Sequence, residues 1–249
     1  MLLDKRLAVI TGAGQGNGAA IARGLAAHGA RVIATDIDAQ TAERTASEIR
    51  AQGREAWAYR LDVADRAAVT AFAGHIGKEI GPVSILVNNA GICPRNTIDS
   101  TDVWETWEAA MSVNLNGTLH LSLSFVPVLR ETRGVIINMA SIAAFVSTAT
   151  STAYSTSKAA IRMLTQNLAQ ELAKDGVRVN ALAPGPFITP MTEATRNHPE
   201  RSQRFLSRIP LGRYGDPEEL VGPVVFLASS MSSYVTGTTL VVDGGYLAV

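Results

Sequence analysis

The strongest constraint on this chain is a repeated change of hydrophobic period. Short β-branched runs alternate with longer amphipathic stretches along its whole length. The runs are LAVI (7–10), RVIAT (31–35), AWAYRL (56–61), SILV (84–87), GVIIN (134–138) and VRVNAL (177–182). A further run, TTLVV (238–242), adds one strand near the C-terminus. Between them, residues 19–28, 39–51, 67–80 and 102–130 carry helical spacing, the last crossed by Pro127, which leaves its end open. Gly29, Gly53, Gly81 and Gly176 stand just past such stretches, where a left-handed residue closes a helix. Apolar strands separated by helices predict an α/β fold: a doubly wound, mostly parallel, Rossmann-like sheet with helices on both faces and right-handed crossovers.

No linker, repeat or low-complexity tract divides the chain, so residues 1–249 are expected to form one domain. The exception to the alternation is 184–215, where Pro184, Pro186, Pro190, Pro199 and Pro210 break regular elements. It is expected to be a long, partly helical excursion over one edge of the sheet, serving as a substrate loop.

Composition removes several functions. Hydrophobic residues at 47% against 18% charged supply a substantial core and exclude disorder. Lys plus Arg and Asp plus Glu are both 22, and no basic run is interleaved with aromatics, so no nucleic-acid partner is expected. The single cysteine, Cys93, excludes an internal disulfide framework and a multi-cysteine metal site. His28, His75, His120 and His198 are scattered without ligand spacing, so no metal is expected. The N-terminal apolar run leads straight into TGAG and reads as a first strand, not a signal peptide. No apolar stretch reaches the ~18 residues a membrane span needs. A soluble, cytoplasmic chain is the expectation.

After the first strand comes TGAGQGNG (11–18), followed by helical AAIARGL. Glycines there let the backbone turn tightly and approach a phosphate, while the helix N-terminus offers free N–H groups to an anion. The strict G-x-G-x-x-G spacing fails, because Asn17 stands where the third glycine would fall; only Gly14, Gly16 and Ala19 approximate it. A tight turn with helix-packing glycines is the plainer alternative. Asp36 changes the balance. It closes the second strand about 20 residues beyond the loop, where a carboxylate accepts from an adenosine ribose and repels a 2′-phosphate. Thr35, Ile37 and Asp38 flank it, and Gln15 within the loop is uncharged, so charge alone favours NAD(H) over NADP(H). The same acidic pair also suits a helix cap.

Further segments fall into order. NNAG (88–91) follows the fourth strand, and Asn114 lies in the long helical stretch. Ser141 follows the fifth strand; Tyr154 and Lys158 come thirteen and seventeen residues later, one helical turn apart. PGPFIT (184–189) follows the sixth strand. From the first strand to VDGG (242–245), the chain resembles the short-chain dehydrogenase/reductase family. No single motif decides this, but their joint order and spacing are specific.

The resemblance implies roles residue by residue. Gly12, Gly16 and Gly18 match the cofactor-loop glycines, with Gln15 and Asn17 between them. Asp62 and Val63 match the pair that contacts adenine; Asn89, Ala90 and Gly91 match the turn under the cofactor ribose. Phe187 and Thr189 fall where the family holds the nicotinamide carboxamide. Asn114, Ser141, Tyr154 and Lys158 match the catalytic tetrad, with Lys158 also on the nicotinamide ribose and Asn114 anchoring a water. Asn17 departs from the usual aliphatic residue; its N–H can still face phosphate. The family also implies a homo-oligomer, commonly a tetramer, in which Trp104, Trp107 and the C-terminal GYLAV can cover an interface; they are equally core material.

The chemistry follows from the residue types. A free tyrosine titrates near ~10 and is a poor base at neutral pH. A neighbouring Lys158 ammonium, with the positive nicotinamide of NAD⁺, favours the phenolate. Tyr154 can then accept an alcohol proton as hydride leaves carbon, or donate it in reverse. Ser141 can hydrogen-bond the substrate oxygen. Singly, Ser141 suits a helix cap, Asn114 a helix-interior polar group and Tyr154 a buried tyrosine; together they point to chemistry. The hydroxyl-rich STATST (147–152), with Arg95 and Asn96, favours a sugar or polyol-like secondary alcohol, while Phe145, Phe187 and Met191 fit an apolar pocket. Substrate contacts are expected from Ser141, Arg95 and Phe145. The competing readings are reduction of another small carbonyl or an acyl-thioester ketone, a non-catalytic NAD sensor, and NAD-retaining epimerisation or dehydration.

Overall fold

The computed structural model describes residues 1–148 and 150–249. Seven parallel strands form one sheet in the order β3-β2-β1-β4-β5-β6-β7. They are β1 Leu7–Thr11, β2 Arg31–Asp36, β3 Ala56–Arg60, β4 Ile85–Asn88, β5 Val135–Met139, β6 Arg178–Pro184 and β7 Thr239–Val242. The helices are α1 Gly16–Ala27, α2 Ala39–Ala51, α3 Arg66–Glu79, α4 Val103–Ala110, α5 Gly117–Thr132, α6 Thr152–Leu172, α7 Pro190–Arg196, α8 Pro199–Leu206 and α9 Val221–Ala228. The doubly wound, Rossmann-like sheet expected from the alternation is the observed fold.

Successive strand residues face opposite ways, and each face has its own core. Ala8, Ile10, Val32, Ala34, Val87 and Ile137 pack with Ile21, Leu25 and Val224. Leu7, Val9, Ile33, Leu86 and Ile136 pack with Phe72, Phe125 and Leu168 on the other side. Burial on both faces is why these strands read as continuous apolar runs. The chain crosses from the β3 edge back to β4 beside β1, so the connections leaving β1 and β4 run to opposite sides and open a crevice outside their carboxyl ends.

Four glycine ends stand as predicted: Gly29, Gly53, Gly81 and Gly176 all have positive φ. The long helical stretch differs from a single helix. It is α4 and α5 joined by one π-helical segment, Met111–Asn116. Pro127 does not end α5, which runs on to Thr132. Its missing N–H frees the carbonyl of Leu123, and Leu123 is 57% exposed, a position where water can take over that bond. In the proline-rich excursion, Pro190 and Pro199 each occupy the first turn of a helix, where proline's fixed φ fits and its absent N–H costs nothing.

Candidate active site

A cavity of about 380 Å³ opens at the carboxyl ends of β1, β2, β4, β5 and β6. Gly12, Gln15, Gly16, Asn17, Gly18, Asp36, Asp62, Val63, Asn89, Ala90, Gly91, Ser141, Tyr154, Lys158, Phe187 and Thr189 all line it. Asn114 stands just behind the wall.

The glycine loop is shaped by sterics. Gly12 and Gly16 have φ of +61° and +51°, which side-chain-bearing residues rarely adopt. A Cβ at Gly18 would lie 2.0 Å from the Gly12 carbonyl oxygen, so the helix start packs directly under the loop. The NNAG turn is fastened to it. Asn89 Nδ2 donates to the carbonyls of Thr11 and Gly12 at 2.9 and 3.0 Å, and Thr11 Oγ1 accepts from the N–H groups of Asn89 and Ala90, both at 3.0 Å. No side chain caps α1, whose first N–H groups face the cavity at the positive end of the helix dipole. Glycines packed too closely for a Cβ at Gly12 and Gly18, ahead of a helix start that no side chain caps, fit a dinucleotide pyrophosphate.

Asp36 lies at the end of β2. Its Oδ2 accepts from the Gly14 N–H at 2.9 Å and its Oδ1 from the Asp38 N–H at 3.1 Å. The carboxylate is thus held in place, not free to swing. The alternative capping role falls to Asp38, whose side chain accepts from the N–H groups of Gln40 and Thr41. Asp62 turns its Oδ1 onto the Ala64 N–H at 2.9 Å, which fixes the Asp62–Val63 corner of the cavity.

Asn114 is 1% exposed and sits within the π-helical segment. Its carboxamide brackets one residue: Oδ1 accepts from the Ile92 N–H at 2.8 Å, and Nδ2 donates to the Ile92 carbonyl at 3.0 Å. Nδ2 also reaches Ser157 Oγ at 2.9 Å, and Ser157 in turn donates to the Tyr154 carbonyl at 2.8 Å. Ser151 begins α6 by accepting from the Tyr154 N–H at 3.2 Å. Neither serine was singled out in the sequence. A hydroxyl three residues before a helical tyrosine is the usual cap signal and marks Ser151; Ser157 carries no comparable signal.

Lys158 is 5% exposed and donates from Nζ to the Met139 carbonyl at 2.7 Å. Its Nζ lies 5.8 Å from the centre of the Tyr154 ring. Burial pushes the ammonium down to about 8, against the opposing pull of a charged Cys93. Burial also pushes the Tyr154 phenol above its ordinary value; charge on Cys93 adds to this, and the Ser141 hydroxyl works the other way. The expectation that Lys158 sets the phenol's acidity is therefore reversed in the protein alone, where desolvation dominates. Ser141 is 7% exposed, and its Oγ accepts from the Ala143 N–H at 3.1 Å, so it does cap the short helical turn that follows β5.

Phe187 is buried, its ring so close to Gly215 that a Cβ there would lie 2.6 Å from it. Thr189 caps α7 in a reciprocal arrangement with Thr192. Met191 of the excursion lines the cavity. Arg95 and Phe145 do not: Arg95 is exposed, and Phe145 carries the Arg162 guanidinium 4.8 Å above its ring. Within the hydroxyl-rich stretch 147–152, Ala149 lies outside the described residues. Among the described residues, no three His, Cys, Asp or Glu side chains cluster as metal ligands, and no helix is long and apolar enough to cross a membrane.

A family profile described as enoyl-(acyl carrier protein) reductase matches residues 12–247. Among curated proteins, galactitol 2-dehydrogenase (L-tagatose-forming) of Cereibacter sphaeroides is 42% identical, covering 98% of this chain and 96% of its own. The chain belongs to the short-chain dehydrogenase/reductase family of oxidoreductases. Another member, the 3-oxoacyl-[acyl-carrier-protein] reductase of Thermotoga maritima, is 38% identical over 98% of this chain and 99% of its own. A gluconate 5-dehydrogenase from Burkholderia cenocepacia J2315, solved in complex with NADP and tartrate, superposes with a TM-score of 0.95. It is 37% identical and covers 99% of this chain and 97% of its own.

Proposed function

We propose that this short-chain dehydrogenase/reductase moves a hydride between NAD(H) and a secondary alcohol or ketone of a sugar or polyol. The observation that carries this is the convergence of Ser141, Tyr154 and Lys158 on the cavity whose far end holds the Asp36 carboxylate. Nicotinamide supplies the hydride acceptor or donor when bound. The protein's own residues handle the proton and the orientation. At neutral pH the Tyr154 phenol keeps its proton, the state needed to protonate a carbonyl oxygen during reduction. Oxidation requires the phenolate, which a charged Lys158 favours and to which the positive ring of NAD⁺ adds. Ser141 orients the substrate oxygen and steadies its charge. Asn114, through Ser157 and Ile92, holds the floor beneath Tyr154.

Cofactor preference rests on Asp36. Its carboxylate is fixed by two backbone N–H groups, so a 2′-phosphate would meet a charge that cannot move aside. The solved relative in complex with NADP weighs against this preference, which rests on Asp36 alone. The polyhydroxylated substrate is supported by the galactitol and gluconate activities in the names of the relatives. Reduction of an acyl-thioester ketone is the second reading, supported by the acyl-carrier-protein reductase at 38% identity.

The excursion 184–215 is assigned to substrate enclosure, since Met191 and Thr192 already form part of the cavity wall. Arg95 and Phe145 are assigned to the outer substrate region. A homotetramer in the cytoplasm completes the proposal; Trp104, 72% exposed on α4, supports a contact between copies. The test is a panel of polyols, sugars, aldonates and simple alcohols offered with NAD⁺ or NADP⁺ while reduced nicotinamide is followed by absorbance. NADH produced with a polyol supports the proposal. Turnover confined to 3-oxoacyl thioesters supports the second reading, and binding without turnover indicates a sensor.

A further inference from the structure

The sequence on either side of Asp36 offers no cation, but the fold brings one to it. Arg44, in the second turn of α2, donates from Nη2 to the Gly14 carbonyl at 3.1 Å. Asp36 accepts from the N–H of that same glycine at 2.9 Å. One loop residue thus has a carboxylate on its N–H and a guanidinium on its carbonyl, with itself between the two charges. Gly14 adds no side chain to that space, where a Cβ would lie 2.8 Å from Asp36 Oδ2.

Arg44 is exposed, and among the described residues it forms no ion pair. It lines a second groove, of about 500 Å³, which shares Gln15, Gly16 and Pro190 with the cavity. The other cation of that groove, Arg23, is occupied by Glu48 and Glu218 at 3.1 and 3.0 Å. Arg44 is therefore the cation at the adenosine end whose charge no carboxylate answers. A guanidinium is a fork of several N–H donors, and the bond to Gly14 uses one of them. The planar fork suits a phosphate, which it grips with two parallel bonds. A phosphate on the ribose 2′-oxygen would emerge beside Asp36, next to the glycine that Arg44 already holds.

We infer that Arg44 receives the 2′-phosphate of NADP(H), offsets the repulsion from Asp36, and lets the site take both dinucleotides. This rests on the cofactor reading above and goes beyond it, because that reading gives the selectivity to Asp36 alone. Asp36 and Arg44 then act against each other on one phosphate, while NAD(H), which lacks it, meets only the carboxylate. Glutamine at position 44 keeps an N–H donor for the Gly14 carbonyl and removes the charge. Lysine keeps the charge and removes the fork.

The experiment compares binding, not turnover, by calorimetry for three probes: NAD⁺, NADP⁺ and ADP-ribose, which lacks both the ring and the 2′-phosphate. The wild-type protein is expected to bind NADP⁺ within about tenfold of NAD⁺, since attraction and repulsion on the phosphate oppose each other. In Arg44→Gln the NADP⁺ affinity falls by roughly fivefold or more, the worth of a hydrogen bond to a charged group. NAD⁺ and ADP-ribose stay within about twofold, which also certifies the folded loop. Arg44→Lys loses less NADP⁺ affinity than Arg44→Gln, and added salt weakens NADP⁺ binding more in the wild type than in the glutamine variant. The inference is overturned if Arg44→Gln leaves NADP⁺ binding unchanged, or if NAD⁺ and NADP⁺ affinities fall together, which is the mark of a residue that only supports the loop. It is overturned as well if the wild type binds NAD⁺ and not NADP⁺. Failure of the wild type to bind any of the three overturns the cofactor reading itself.

Discussion

Asn114 and Ile92 exchange two hydrogen bonds, side chain to backbone, across 22 residues of sequence. The pairing imitates one rung of a sheet, with a carboxamide in place of a peptide group. It ties the π-helical segment to the chain leaving the NNAG turn, and through Ser157 to the backbone of Tyr154. Asn114→Ala would leave both backbone groups of Ile92 without these partners. Stability is expected to fall by about 2 kcal/mol, read from urea unfolding of the cofactor-free protein.

Tyr154→Phe tests the proton transfer alone. The ring stays, the hydroxyl goes, and the cavity keeps its shape. Turnover is expected to drop by roughly 10²–10⁴-fold, the usual worth of general acid–base catalysis, while NADH binding followed by fluorescence is retained. Activity near the wild-type level at saturating substrate would sink the mechanism.

Lys158 gives a linkage prediction whose sign is fixed by burial. Its pKa is about 8 in the folded protein, against ~10.4 for a free lysine. Between those values the unfolded chain holds a proton that the folded one has lost, so unfolding free energy from this group rises with pH. Below about 8 the charged form is present in both states and its burial penalty is complete. The Tyr154 phenol acts in the opposite direction only above ~10, where an unfolded tyrosine titrates. Denaturant unfolding of wild type and Lys158→Met at pH 7 and pH 9.5 is expected to show the wild type gaining on the variant at the higher pH. A constant difference between them would contradict a lowered Lys158.

Gly18 allows no side chain. A Cβ there would stand 2.0 Å from the Gly12 carbonyl oxygen and 2.4 Å from Asn89 Nδ2. Gly18→Ala has to displace the staple between the loop and the NNAG turn. A loss of about 3 kcal/mol in thermal or urea unfolding is expected, together with weaker binding of ADP-ribose. Wild-type stability in this variant would mean that the loop is looser than its contacts imply.

Asp36→Ala removes the fixed negative charge from the adenosine end. The ratio of NAD⁺ to NADP⁺ affinity is expected to fall by about tenfold or more, because repulsion of the 2′-phosphate and acceptance of the ribose hydroxyls are lost together. An unchanged ratio would place the selectivity elsewhere.

Much of this was legible in the sequence because it depends on period and on residue type. Strands buried on both faces leave β-branched runs, and Asp36, Tyr154 and Lys158 stand at spacings that hold once the elements are known. Other features depend on groups that a sequence does not label. The partner of Lys158 is the backbone carbonyl of Met139, which any residue would supply. The π-helical segment is a register change with no composition of its own, and Pro127 is tolerated because its turn faces outward. The direction of the Tyr154 shift needs the extent of burial, which spacing does not give. Arg95 and Phe145 neighbour cavity residues in the sequence, yet neither lines the cavity, a difference that only the three-dimensional arrangement shows.

The bonds from Asn89 to Thr11 and Gly12 join residues 77 and 78 positions apart, and the Thr189 wall is supplied a hundred residues later still. A polypeptide emerging from the ribosome therefore carries its glycine loop and its ribose carboxylate long before it has anywhere to hold a nucleotide. Proteolytic pieces ending before β6 inherit the same deficit. The wall of the cavity is therefore closed only once the chain has reached Thr192, and its shape is a late product of folding.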